Sequence, residues 1–128
     1  MQTDATLDDA ATATDETDRL IASNKVEGTA VYDPQGERLG SIYNFMVDKR
    51  SGRAEYAVLS FGGFLGMGSS HHPLPWKALK YDTGLGGYVV DVDRDRLEKA
   101  PSYGTDQEPD WNDRSYGRRI DDYYGYGL

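Results

Sequence analysis

The chain has 128 residues, enough for one ordinary domain and too few for two, and it contains no cysteine, which excludes disulfides, thiolate metal sites and thiol nucleophiles. Its formal net charge of -8 sits at the ends: residues 1–19 hold six acids against one base and residues 101–128 six against three, while residues 20–100 hold ten of each. A neutral body between acidic ends is poorly suited to neutralising phosphates, so no nucleic-acid partner is expected.

Residues 1–19 are rich in Ala, Thr, Asp and Glu, with Leu7 the single large aliphatic residue after Met1. Such a segment buries too little surface to offset its ordering entropy, and a disordered acidic arm is expected. It has neither a basic n-region nor an apolar h-region, and no run in the chain approaches the ~18 apolar residues of a bilayer span, so a soluble, cytoplasmic chain is expected.

From Leu20 onward, short apolar runs alternate with turn residues, the pattern of a small all-β sandwich or barrel. Leu20–Ala22 is a candidate first strand and Ala30–Tyr32 a second, followed by a reversal at Asp33-Pro34-Gln35-Gly36. Arg38–Asp48 is a long strand with apolar residues on both faces; Lys49-Arg50-Ser51-Gly52 turns it back into Arg53–Ser60. Alternation assigns Tyr43, Phe45, Val47, Tyr56, Val58, Leu74 and Val90 to a shared core. Phe61–Ser70, FGGFLGMGSS, is a glycine-rich loop carrying Phe61, Phe64, Leu65 and Met67, which either tuck into a barrel mouth or stand out as a contact surface. Pro73 and Pro75 confine the next segment to an edge strand or a turn. Ala78–Tyr81 and Tyr88–Val92 complete the strands around a turn at Asp82–Gly87, and Asp93–Ala100 reads as a short helix N-capped by Asp93 and stopped by Pro101. In the tail, Tyr116, Ile120 and Tyr123/Tyr124 fall on one face of a helix beginning near Asp110 and running to about residue 124, favoured over a flexible Tyr/Gly-rich tail.

No catalytic constellation stands out. His71-His72 lies beside Ser69-Ser70, yet neighbours on an extended segment point to opposite faces, which works against a serine–base pair, and the histidines lack the i, i+4 spacing that converges two imidazoles on a metal. The glycine loop has no Lys-Ser/Thr and no following helix, so it is not a phosphate cradle. Asp91-Val92-Asp93-Arg94-Asp95 lacks the Gly and terminal acid of a calcium loop. Lys49, Arg50 and Arg53 form a small, solvated basic tip. No cofactor or metal is expected.

Four segments resemble one family. Gly36-Glu37-Arg38-Leu39-Gly40-Ser41-Ile42, Asp48-Lys49-Arg50-Ser51-Gly52-Arg53, Tyr56-Ala57-Val58-Leu59-Ser60-Phe61-Gly62-Gly63-Phe64-Leu65-Gly66 and Leu74-Pro75-Trp76 before Leu79-Lys80-Tyr81 are together similar to the PRC-barrel domains, named for the cytoplasmic domain of the photosynthetic reaction-centre H subunit and found also in a ribosome maturation factor. The resemblance covers about residues 20–101, and the tail 102–128 is similar to those of stand-alone bacterial members. It implies a barrel of about six strands that docks on other proteins and has no shared catalytic residue. Without a membrane helix the photosynthetic role does not transfer, and without a second barrel the RNA-processing role is in doubt. The expected function is therefore a non-enzymatic interaction module, docking on another protein or on itself as a two-fold dimer. The candidate contact residues are Phe61, Phe64, Leu65, Met67, Trp111, Tyr116, Ile120 and Tyr123. A ligand or metal sensor built on His71/His72, and a hydrolase, are the alternatives.

Overall fold

Three chain reversals share one device, an aspartate that takes up the amides of the turn it opens. Asp33 Oδ1 accepts from the Gln35 and Glu37 N–H groups, both at 2.9 Å. Asp48 Oδ1 accepts from Arg50 at 2.8 Å and Ser51 at 3.1 Å, and Asp82 Oδ1 from Gly84 at 2.8 Å and Leu85 at 3.1 Å. Gly52 and Gly86 close the last two turns at φ of 78° and 69°, the left-handed region that glycine enters without a Cβ penalty.

The computed structural model describes residues 20–62, 69–104 and 106–127. The arm expected over residues 1–19, and Phe64, Leu65 and Met67, lie outside the described residues. The strands are β1 (Ala30–Tyr32), β2 (Arg38–Val47), β3 (Ala54–Gly62), β4 (Ser69–Pro75), β5 (Lys80–Asp82) and β6 (Gly87–Val89); the helices are α1 (Ser23–Val26), α2 (Arg94–Glu98) and α3 (Arg114–Tyr123). The six strands form one sheet in the order β4-β3-β2-β1-β6-β5. All neighbours run antiparallel except β1 and β6, where Val31 faces Tyr88 and Tyr32 faces Val89 in a parallel pair. No ladder joins β4 to β5, so the six expected strands make an open sheet rather than a closed barrel. Its far parts nevertheless converge, because Leu74 of β4 and Val90 after β6 line one cavity.

The two prolines of β4 fit its place at the sheet edge. His71 exchanges backbone bonds with Tyr103 on the side away from β3, at 2.8 and 2.9 Å. Pro73 and Pro75 share that parity, so their missing N–H groups fall on the outer edge, where no ladder bond is lost.

The main core lies on the inner face of the sheet and includes Val31, Leu39, Ile42, Leu59, Leu74, Val90 and Leu97, with Leu97 supplied by α2. Asp93 caps α2 by accepting from the Arg96 N–H at 2.8 Å. Leu74 and Val90 are buried in this core as alternation predicts, whereas Val58 is buried on the opposite face of β3 and not in the shared core. Tyr43 and Val47 are not buried: they are 50% and 45% exposed, while Phe45 and Tyr56 are half-buried. The reason is a pair of irregularities in the β2–β3 ladder. Ile42 faces Leu59 but Asn44 faces Val58, so Tyr43 is an extra residue, and a second shift follows between Met46 and Val47. The bulge gives the inner position to Ile42, 2% exposed, and turns Tyr43 out. The strand expected at Leu20–Ala22 is also corrected: that segment pairs with no strand and leads into α1, which anchors through the buried Val26.

Candidate interaction surface

β3 is buried on both faces. Ala57, Val58 and Leu59 are each no more than 1% exposed, although consecutive side chains of a strand point to opposite sides. Ala57 and Leu59 face the main core together with their cross-strand partners Leu74 and His72. Tyr56, Val58 and Ser60 face outward, opposite Pro75, Pro73 and His71, and the C-terminal segment covers that face.

The covering segment is held in steps. Tyr103 is pinned by its bridge to His71 and packs edge-on against that ring at 5.3 Å; Trp111 then contacts Tyr56 at 6.3 Å between ring centroids, Tyr103 at 6.2 Å and Tyr116 at 5.8 Å. α3 starts at Arg114, later than the expected Asp110, because Asp110 is spent on the preceding turn, accepting from the Asn112 N–H at 3.0 Å, and Asp113 is the cap, accepting from the Ser115 N–H at 2.9 Å. Gly117 allows the helix to lie close, since a Cβ there would stand 2.8 Å from Tyr56 Oη. Ile120 is fully buried. Farther along, the Tyr123 hydroxyl donates to the Arg96 carbonyl at 2.5 Å, Arg96 donates back to the Tyr123 carbonyl, and its guanidinium stacks over the Tyr123 ring at 4.8 Å. The structure thus gathers the four predicted tail residues, Trp111, Tyr116, Ile120 and Tyr123, against the domain. Phe61, the fifth described candidate, is 6% exposed and belongs to the inner core.

The seam under the tail is apolar but incompletely satisfied. His71 Nδ1 and Tyr116 Oη are buried there with no hydrogen-bond partner, and so are Asn44 Oδ1 on β2 and Tyr124 Oη farther along the tail. Each such atom costs about 1–3 kcal/mol, comparable with the roughly 2–3 kcal/mol that full burial of one Ile contributes. Burial also pushes the Tyr103 phenol up to about 12, reinforced by the nearby Glu108, and raises those of Tyr116 and Tyr124.

Beside the tail the outer face stays open. Exposed Tyr43 stacks on His71 at 4.3 Å, and exposed Val47 borders a groove of about 590 Å³ whose walls include Met46, Tyr56 and Trp111 and whose rim carries Lys49, Arg50 and Arg114. Tyr43 and Val47 escape sequence reasoning because the bulge that exposes them depends on pairing with β3.

The two histidines are separated by the sheet, His71 on the outer face and His72 on the inner, so they cannot converge on one ligand. Ser70, two residues before His72, shares its face, and Ser70 Oγ lies 2.7 Å from His72 Nε2. The i, i+2 spacing of a strand carries this pair, which attention to immediate neighbours misses. His72 is 1% exposed and packs edge-on against Phe61 at 5.2 Å; burial, and secondarily His71, pushes its pKa down to about 4. Nδ1 of His72 is buried without a partner, so no acid orients the imidazole as a hydrolytic triad requires. Among the described residues no group of three His, Asp or Glu side chains could hold a metal ion, and no helix is long and apolar enough to cross a membrane.

An open six-stranded sheet wrapped round one core, with a tail helix on its back and no assembled catalytic group among the described residues, defines a small mixed-sheet β domain of the half-barrel kind. The PRC-barrel domain family model matches residues 18–97, well over half of the chain, and the chain belongs to that family. Among solved structures it is similar to a 16S ribosomal RNA processing protein, RimM, from Pseudomonas aeruginosa, at 20% identity and a TM-score of 0.42, over 62% of this chain and 48% of that one. The chain thus spans about half the length of that protein. A search of curated protein sequences finds no match. The expectation of no nucleic-acid partner is corrected here, because a structure matching this chain is that of a protein of ribosomal RNA processing. Net charge is a sum whereas phosphate contacts are local: Lys49 and Arg50 of the hairpin and Arg114 of the tail, far apart in sequence, share one groove, together with Asp48 and Glu55.

Proposed function

We propose that this PRC-barrel chain is a non-catalytic interaction module that works in the bacterial cytoplasm and docks on another protein, or on a second copy of itself, through the open outer face of β2. The observation that carries the reading is the pair of large apolar side chains left half in water on β2, Tyr43 stacked on His71 and Val47 beside the groove under Trp111. An aromatic and aliphatic patch with arginines at its rim has the composition that dominates protein contact energetics. Trp111, Tyr116 and Tyr123 would contribute through the tail, Ile120 by holding the tail in place, and Phe64, Leu65 and Met67 as a second contact loop. A second reading, nucleic acid at the same groove, is favoured by the grouping of Lys49, Arg50 and Arg114 around an indole.

One experiment separates these readings. A photo-crosslinking phenylalanine analogue is placed at Val47 in the native host, with Leu85, 41% exposed, as the control position. Discrete protein adducts at 47 and none at 85 support docking, and an adduct of twice the chain mass identifies the partner as a second copy. Nuclease-sensitive adducts favour nucleic acid. Absence of adducts at 47, or the same products at both positions, overturns the proposal.

A further inference from the structure

α3 is complementary to the outer face of β3 and β4 in detail: Gly117 lets the helix approach Tyr56, Ile120 is fully enclosed, and Trp111 and Tyr116 close one end. Yet the cover is fastened unevenly: the reciprocal Tyr123–Arg96 contacts hold its far end, while packing holds the part over β3 and β4. Two polar atoms at the seam, on His71 and Tyr116, lack partners, which lowers the stability of the docked state and places this part of the tail among the parts of a fold that open first. Upstream of the seam the chain is pinned at Tyr103, and no helix or strand is described between Tyr103 and α3. A tail released from this seam therefore separates from the domain without unpicking the sheet.

We infer that the outer face of β3 and β4 is a helix-binding site whose ligand is the 111–123 segment itself, taken in cis within one molecule and in trans from a second copy. The second copy is the occupant the geometry selects, because its tail brings the same Trp111, Tyr116, Gly117 and Ile120 to the same Tyr56, Val58 and Pro73 and requires no new complementarity. Reciprocal exchange of the two tails satisfies both sites and closes with two-fold symmetry, leaving no open end for a polymer. The cis tail has the advantage of its tether, which acts as a high local concentration, so exchange is weak while the cis helix is seated and strong once it is unseated. The inference rests on the docking role proposed above, but at a footprint separate from Val47.

The test uses the full chain and a fluorescent synthetic peptide of residues 106–127. Ile120→Asp in the full chain unseats the cis helix, and the same change in the peptide disables the ligand. Fluorescence anisotropy should show the native-sequence peptide binding the Ile120→Asp chain at least about tenfold more tightly than the unsubstituted chain, since the tethered competitor is gone. The Ile120→Asp peptide should bind neither. Gly117→Leu, which collides with Tyr56, is the second full-chain variant and should behave like Ile120→Asp; a sigmoidal thermal transition identifies which variants are folded. If a folded variant fails to bind the peptide, or binds it no better than the unsubstituted chain does, the inference is overturned. Adducts at Val47 would persist in that case, so failure here is distinguishable from failure of the docking role.

Discussion

His72 makes stability depend on pH in a direction and range that the structure sets. Its imidazole is enclosed beside Phe61, accepts or donates one bond through Nε2 to Ser70, and leaves Nδ1 unpartnered. Protonation would force a charge and a second N–H into that apolar layer, which is why the pKa falls from 6.5 to about 4. Because the folded value is the lower one, the unfolded chain binds more protons between these limits. Stability is fully present above about pH 6.5, is lost as pH falls toward 4, and changes no further through this group below that. A depression of this size corresponds to about 3 kcal/mol, with a maximum slope of about 1.4 kcal/mol per pH unit. Urea unfolding of the native chain and of His72→Gln, followed by circular dichroism from pH 7.5 to 4, measures it. Carboxylates such as Asp48 and Asp113, whose pKa values are lowered by the amides they cap and, for Asp113, chiefly by the Ser115 hydroxyl, titrate in both proteins and cancel in the comparison. The native chain should lose about 3 kcal/mol more than the variant. Parallel curves would refute the placement of a neutral imidazole in the core.

Two further substitutions probe the two layers of the sheet. Val58→Ala should cost roughly 2 kcal/mol in urea unfolding, through lost transfer energy and a cavity on the outer side of β3; a change near zero would mean that the tail does not cover that face. Gly40→Ala places a Cβ 2.1 Å from the Ser60 carbonyl oxygen, a backbone atom that cannot swing away; it should cost about 3 kcal/mol, and a midpoint within error of the native chain would rule out the β2–β3 register.

What the sequence discloses here is what local chemistry decides. Asp33, Asp48 and Asp82 announce their turns because an aspartate reaches its own following amides wherever the chain sits. Asp93 caps its helix for the same reason, and Pro73 and Pro75 mark an edge strand because they lack a donor, whereas the tail helix takes Asp113 as its cap in place of the expected Asp110. The bulge at Tyr43 is not local. It is settled by which residue of β3 each residue of β2 meets, and one extra residue reverses the sides of everything beyond it. The strand expected at Leu20–Ala22 fails similarly, for want of a neighbour. The groove uniting Lys49, Arg50 and Arg114 needs the tail to fold back over some sixty residues of chain, which no segmental charge count can register.

The strand β3 connects these points to function. An antiparallel strand with one side in water alternates apolar and polar residues; Ala57, Val58 and Leu59 do not alternate, and all three are buried. Leu59 needs only the inner core, which the sheet and α2 supply. Val58 needs a second layer, which no other strand of the sheet can supply because every strand already faces the same interior. The fold therefore requires a cover for its outer face, and the tail meets that requirement through contacts that leave His71 and Tyr116 short of partners. A cover with better complementarity would seal the face permanently, and no cover would leave Tyr56 and Val58 in water. In the proposed exchange, the intermediate arrangement keeps the isolated chain folded while leaving an apolar site that the tail of a second copy can occupy, so one incompletely matched seam would serve both states.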